Sequence, residues 1–261
     1  MKHQVVWITG ASSGIGLALV DKYLQEGHKT IISSRSEEIL LELKNNSERP
    51  EDVYVLPFDL SKQDEFEKLC EKAVQAFGKV DLLINNGGIS QRSLAIETKL
   101  DVDKKLMEVN FFGTVALSKA LLPYFIANGK GHFAIVSSLV GKFGTPYRSA
   151  YAASKHALHG FFESLRAELY QNHISVTLIC PGFIRTNVSI NALTGDGTKL
   201  NEMDDAQEKG MSPEECAKII YKGIEAGKEE MLVGGKEKYA VYLKRFFPGI
   251  FSKILRKAKV R

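Results

Sequence analysis

VVWITGASSGIG, residues 5–16, joins two kinds of sequence within twelve positions. Val5–Thr9 is β-branched and aromatic, the composition of a buried strand. Gly10, Gly14 and Gly16 then punctuate a turn that runs into LALVDKYLQEG, whose apolar residues recur with helical spacing. Glycines let a backbone turn tightly and approach a pyrophosphate. The helix N-terminus that follows offers unpaired N–H groups and the positive end of its dipole. Ser12, Ser13 and Ile15 complete this phosphate cradle. Its spacing, GxxxGxG, differs from the GxGxxG of longer dinucleotide enzymes. A glycine-rich turn with no ligand is the competing reading.

The alternation continues along the chain. Strand-like runs occur at 30–34, 53–57, 80–85, 132–138, 174–180 and 230–235, separated by amphipathic stretches. One of these, SKQDEFEKLCEKAVQAFG, has Ser61 as its expected N-cap. Regular strand–helix alternation requires crossovers, hence parallel pairing and helices on both faces of one sheet. The expected fold class is α/β: a single-domain Rossmann fold, a doubly wound parallel sheet of about seven strands, over residues 1–235. Residues 187–211 break the rhythm, being polar and glycine-containing, and read as a substrate loop or lid.

The 261 residues are 44% hydrophobic and 25% charged, enough apolar material for a substantial core. Cys70, Cys180 and Cys216 form no CxxC pair, which argues against a disulfide framework and suits a reducing compartment. Neither the cysteines nor the six histidines show ligand spacing, so no metal is expected, and His156 and His159 read as helix-surface residues. MKHQVVWITG has too short an apolar run for a signal peptide, and no apolar segment approaches bilayer-spanning length. The expected location is the cytoplasm.

The net charge of +4 conceals an asymmetry. Residues 236–261 hold nine Lys/Arg against Glu237, a balance of +8, leaving −4 on the other 235 residues. A mildly acidic body gives no support to nucleic-acid binding. The basic C-terminal extension reads as two amphipathic pieces broken at Pro248-Gly249. Ile250, Phe251, Ile254, Leu255 and Ala258 form one apolar arc, with Lys253, Arg256 and Lys257 largely opposite. Such a segment packs against another subunit or lies peripherally in a membrane interface, and subunit packing is the favoured reading.

Cofactor preference is set at the end of the second strand, where NAD enzymes of this architecture carry an acidic residue for the ribose hydroxyls. Here Ser34 takes that place and Arg35 follows. A guanidinium binds phosphate oxygens through its planar fork, so NADP(H) is expected over NAD(H). Alternatively Arg35 caps the sheet edge, with Glu37 or Glu38 neutralising it.

In SAYAASKHALHGF, residues 149–161, Tyr151 and Lys155 lie four apart and so share a helix face. Ser138 stands thirteen residues before the tyrosine. Asn110 lies in the apolar stretch KLMEVNFFGTVALSKALL, where a buried amide needs a polar partner.

Taken together the sequence resembles the tyrosine-dependent short-chain dehydrogenase/reductase family, over residues 5 to about 235. The matching motifs are TGASSGIG, Asp59 in PFDLS, NNGG at 85–88, Asn110, Ser138, YAASK at 151–155 and PGFIRT at 181–186. The resemblance implies the strand order 3-2-1-4-5-6-7 and a nicotinamide dinucleotide across the strands' carboxyl ends. It also implies a catalytic tetrad of Asn110, Ser138, Tyr151 and Lys155. A carbonyl that receives hydride needs a proton at its oxygen, and a free tyrosine, pKa about 10, is a poor donor near neutrality. A neighbouring ammonium lowers such a pKa by roughly 1 to 3 units, the role expected of Lys155. By resemblance Ser138 holds the substrate oxygen, Lys155 also holds the nicotinamide ribose, and Asn110 anchors a relay water. Asp59, followed by Leu60, would receive the adenine amino group, while Asn86 and Gly87 approach the adenosine ribose. Pro181, Gly182, Ile184 and Thr186 would border the nicotinamide, although Pro181-Gly182 also reads as a plain turn.

NNGGISQRSL, YAASKHAL followed by GFF, and NALTGDGT resemble one branch of the family, dehydrogenase/reductase member seven and its bacterial relatives. That branch implies carbonyl reduction of hydrophobic, steroid-, retinoid- or lipid-like compounds. Ser138, Val140, Tyr147, Tyr151 and Phe183 are the expected substrate contacts, with Leu139 and Phe143 adding apolar surface. Arg92 and Arg148 read as surface residues, or as contacts for an anionic group. A homodimer or homotetramer is implied by the family. The alternative functions are a 3-oxoacyl thioester reductase and a non-catalytic NADP-binding regulatory protein.

Overall fold

Alternate residues of Val5–Thr9 (β1) serve two cores: Val6 and Ile8 enter one apolar cluster, Val5 and Trp7 the other. A strand buried on both faces belongs in the middle of a covered parallel sheet, and β1 lies there. The computed structural model describes residues 3–257. The remaining strands are Lys29–Ser33 (β2), Val53–Val55 (β3), Leu82–Asn85 (β4), Gly131–Val136 (β5), Ile174–Pro181 (β6) and Glu230–Val233 (β7). They pair in parallel in the order β3-β2-β1-β4-β5-β6-β7, as expected.

The helices are Gly14–Gln25 (α1), Glu37–Asn45 (α2), Phe66–Phe77 (α3), Leu100–Met107 (α4), Gly113–Ala127 (α5), Ser149–Glu168 (α6), Asp205–Glu208 (α7), Pro213–Glu225 (α8), Tyr239–Phe246 (α9) and Pro248–Leu255 (α10). Leu19 and Tyr23 of α1 meet Ile220 and Tyr221 of α8 on one face of the sheet. Cys70, Leu117, Phe125, Leu158 and Phe162, from α3, α5 and α6, fill the other. The Trp7 indole crosses to β2, donating to Ser33 Oγ at 2.8 Å, so this large buried ring leaves no polar atom unpaired. Strand order reverses between β1 and β4, and that reversal opens a crevice at the strands' carboxyl ends.

Three expectations change. Ser61 does not cap α3: a 3₁₀ turn, Gln63–Glu65, precedes that helix, and Ser61 bonds Asp59 instead. Residues 100–127 form one continuous helical run, long and apolar enough to cross a membrane by length and composition, contrary to the sequence reading. Leu106, Leu117, Leu121 and Phe125 of this run are buried, as a helix packed on a sheet requires. The 187–211 segment packs onto the body, with Ser189, Ala192, Leu193, Asp204 and Gln207 all buried. In the extension, Phe251 is buried edge-on against Phe143, ring centroids 5.1 Å apart, while Ile250 and Ile254 are exposed. Ala258, assigned above to the same arc, lies outside the described residues.

Candidate active site

Gly10 follows β1 with φ +65°, and a Cβ there would stand 2.8 Å from Gly87 Cα. Only glycine fits both that backbone and that space. Gly14, φ +57°, opens α1, and its Cβ would meet Thr186 Cγ2 at 2.9 Å. Thr9, which the sequence reading passed over, locks this turn. Its Oγ1 accepts the N–H of Asn86 at 3.0 Å and of Gly87 at 2.9 Å. In return Asn86 Nδ2 donates to the carbonyls of Thr9 and Gly10, at 3.0 and 3.2 Å. The ends of β1 and β4 are thereby clamped, and the Asn86 amide is engaged in that clamp.

Along the strand ends runs a cleft of about 830 Å³. Every residue expected to hold a cofactor lines it except Gly16. A Cβ on Gly16 would lie 2.1 Å from the Gly10 carbonyl oxygen, so this glycine seats α1 on the turn instead of facing a ligand. At one end, Ser34, exposed Arg35 and Asp59 come together on the wall. Burial pushes the Asp59 carboxyl up, but two hydrogen bonds from Ser61 and the charges of Arg35 and Lys62 hold it below its ordinary value. Bare glycines, helix N–H groups and a guanidinium at one end form a donor set that fits a phosphorylated dinucleotide.

At the other end Ser138, Tyr151 and Lys155 meet. The Ser138 hydroxyl donates to the Pro181 carbonyl at 3.4 Å and accepts the Val140 N–H at 3.3 Å. Lys155 Nζ donates to the Val136 carbonyl at 2.8 Å and lies 5.9 Å from the Tyr151 ring centroid. Burial pushes the Lys155 ammonium down to about 8. Burial pushes the Tyr151 phenol up, against the opposing pull of Arg92, Ser138 and Arg148. The acidity assigned above to Lys155 therefore takes a different form here. The phenol keeps its proton, and the cations acting on it are the two arginines.

Asn110 is wholly buried in a π-helical turn, Glu108–Phe112, between α4 and α5. Its side chain accepts from Ile89 N at 2.8 Å and donates to Ile89 O at 2.9 Å and Ser154 Oγ at 3.0 Å. The amide expected to hold a relay water thus fastens the loop after β4 to the helix carrying Tyr151. It does not line the cleft.

The substrate side departs most from expectation. Ser138 and Tyr151 line the cleft, but Val140, Tyr147 and Phe183 do not. Val140 packs with Leu139, Phe143 and Phe251 beneath the extension, because the chain turns away in a 3₁₀ turn directly after Ser138. Ile89, Val109, Val188 and Leu193 take their place on the wall, with Lys105 and Lys199. Tyr147 adopts the left-handed region, φ 65°, and its carbonyl accepts Ser93 N at 3.1 Å. Arg92 and Arg148, read as surface residues, are buried. Gln91 also went unnoticed: its Oε1 accepts from Ala150 N at 3.0 Å and Tyr151 N at 3.4 Å, satisfying first-turn donors of α6. A Gln-Arg pair directly after a glycine-rich strand end was the available signal.

His159 is buried too, and burial, helped by nearby cations, pushes it down to about 3. Its ligand-type nitrogen lies with Glu163 and Glu230 oxygens within 4.8 Å of one another. Spacing alone had suggested no such group. Lys142 pairs with Glu230 at 2.5 Å, so the cluster already holds its own cation.

Comparison with known proteins agrees with this geometry. The family model described as short chain dehydrogenase matches residues 4–196. A curated relative, dehydrogenase/reductase SDR family member 7B of Xenopus tropicalis, is 40% identical over 259 residues, covering 96% of this chain and 84% of its own. A short-chain dehydrogenase/reductase from Burkholderia phymatum, solved in complex with NAD, superposes with a TM-score of 0.83 at 22% identity, covering 95% of each chain. One from Burkholderia cenocepacia, solved in complex with NADP, gives 0.81 at 23% identity, covering 97% of each.

Proposed function

The chain belongs to the short-chain dehydrogenase family of oxidoreductases, and on that footing we propose that it transfers hydride between NADP(H) and a carbonyl or secondary alcohol of hydrophobic character. The observation that carries this reading is the convergence of Ser138, Tyr151 and buried Lys155 on the cleft wall, Lys155 Nζ 5.9 Å from the Tyr151 ring centroid. A bound nicotinamide would supply or accept the hydride. Tyr151, protonated through neutrality, donates its phenolic proton to the developing alkoxide, or receives one in the reverse direction. Ser138 orients the substrate oxygen, and Lys155 stabilises the phenolate left behind. Asn110 positions by fixing Ile89 and Ser154.

NADP(H) is preferred to NAD(H) in this reading because Ser34 and Arg35 stand where a carboxylate would repel a 2′-phosphate. The hydrophobic substrate class is supported by Ile89, Val109, Val188 and Leu193 on the wall and by the similarity to family member 7B. A cytoplasmic location is proposed because the three cysteines are all free and buried. Assembly into a homodimer or homotetramer is proposed from the extension, where Tyr239, Tyr242, Phe246, Phe247, Ile250 and Ile254 are all more than half exposed.

A panel of ketones, secondary alcohols and acetoacetyl thioesters with NADPH or NADP, read as nicotinamide absorbance, tests the proposal. Turnover is expected with hydrophobic ketones or alcohols. Preference for the thioesters would replace the substrate class, and cofactor binding without turnover across the panel would overturn the enzymatic reading.

A further inference from the structure

A second constellation lies outside the cleft, where α6 meets β7. His159 and Glu163 stand four apart on α6 and so share a face, and Glu230 opens β7 beside them. Glu163 Oε1 lies 3.7 Å from His159 Nδ1, and Glu230 Oε2 lies 3.9 Å from it. None of the three residues lines the cleft.

The His159 side chain is only 8% exposed, and its two ring nitrogens are treated differently. Nε2 meets Cys180 Sγ at 3.6 Å. Nδ1 is buried and has no hydrogen-bond partner among the described residues, although it points between two carboxylates. Leaving a buried polar atom unpaired costs free energy that a ligand can return. Lys142, in the turn after Ser138, does not serve it: its Nζ pairs with Glu230 Oε2 at 2.5 Å. Two carboxylates against one ammonium leave the constellation at −1 with the imidazole neutral.

We propose that His159 Nδ1, Glu163 Oε1 and Glu230 Oε2 form a site for a divalent cation of the zinc class, which takes the place of the Lys142 ammonium on Glu230. Imidazole with two carboxylates suits zinc, whereas magnesium and calcium take oxygen ligands. Zinc bonds of about 2.0–2.2 Å set the ligand atoms of a tetrahedral site roughly 3.3–3.5 Å apart. The three atoms here lie within 4.8 Å of one another. The buried imidazole is fixed, while the Glu163 and Glu230 side chains, 51% and 38% exposed, have room to close on the ion. Three protein ligands leave the fourth position to water. Cys180 orients the imidazole from behind, as contacts to the second ring nitrogen do in metal sites. One ion would join the helix that carries Tyr151 to the edge strand, so its binding stabilises the folded chain.

Zn²⁺ alone, titrated calorimetrically into the full chain with Mg²⁺ as the control, tests the site without any assay of turnover. Zn²⁺ should bind and raise Tm, and Mg²⁺ at the same concentration should do neither. The nitrogen-15 signal of His159 Nδ1, assigned by its loss in His159→Gln, should move on adding Zn²⁺. Glu163→Gln removes an exposed ligand and should weaken Zn²⁺ binding about tenfold or more, while Lys142→Met removes the competing ammonium and should tighten it about tenfold. Where His159→Gln fails to fold by circular dichroism, the opposite signs of the Glu163 and Lys142 variants decide. Absence of binding, binding that leaves Nδ1 unmoved, or an affinity indifferent to Glu163→Gln overturns the proposal.

Discussion

Lys155 Nζ lies 5.9 Å from the centre of the Tyr151 ring, and its 2.8 Å hydrogen bond goes to the Val136 carbonyl, not to the phenol. The lysine is thus held by the end of β5, where a cofactor and the phenolate can both draw on its charge. Keeping that charge buried is costly. Its folded pKa, about 8 against an ordinary 10.5, means the folded chain binds fewer protons than the unfolded one between those values. Stability linked to this group is full above 10.5 and is lost as pH falls through 8. Below that window the loss is about 3 kcal/mol.

Lys155→Met should therefore lose turnover yet gain stability at pH 7. Removing the buried charge returns about 3 kcal/mol, and the lost Val136 hydrogen bond gives back about 1 kcal/mol. Urea denaturation should show a net gain near 2 kcal/mol at pH 7 that turns into a net loss of about 1 kcal/mol above pH 10.5, where only the missing hydrogen bond counts. A variant less stable than wild type at pH 7 would contradict the pKa assigned to this lysine.

Tyr151→Phe should reduce turnover by about 10²- to 10⁴-fold, the usual worth of a positioned acid or base. Cofactor affinity, read by quenching of protein fluorescence, should stay within a few-fold. Substantial residual turnover would remove Tyr151 from the chemistry.

Arg35 is exposed at the cleft end and acts electrostatically on Asp59. Arg35→Ala should lower kcat/KM with NADPH by about tenfold or more, the loss of a charge-assisted phosphate contact. Efficiency with NADH should change far less. Equal losses with both cofactors would return Arg35 to a sheet-edge role.

Gly16 and Gly160 make a matched pair. A Cβ at Gly16 would press into the Gly10 carbonyl at 2.1 Å, so Gly16→Ala should weaken cofactor binding and lower Tm together. Nothing lies within 4 Å of a Cβ at Gly160, inside α6. Gly160→Ala should stabilise by about 0.5–1 kcal/mol with cofactor binding unchanged. Calorimetry with and without NADP reads both.

Truncation after residue 235 removes Phe251 from its contact with Phe143 and uncovers Leu139 and Cys180. Sedimentation should show a smaller assembly than the full chain. Flotation with anionic liposomes discriminates the other occupant: lipid association of the full chain, lost on truncation with the assembly unchanged, would assign the extension to a membrane.

Local patterns made much of this molecule legible. Strand composition, helical spacing and the glycines at 10 and 14 specify strand–turn–helix, because each acts within a few residues and needs no distant partner. The i, i+4 spacing of Tyr151 and Lys155 likewise follows from helix geometry alone. The sequence by itself therefore determined the parallel sheet, its glycine turn and the shared helix face of Tyr151 and Lys155. Tertiary structure decided whatever depends on segments far apart in the chain. Arg92 and Arg148 look like surface residues until Asp204, 112 positions beyond Arg92, is folded onto them. Val140 and Phe143 look like pocket residues until α10 covers them. Burial pushes the Tyr151 phenol up, and burial is not written into the spacing of its neighbours.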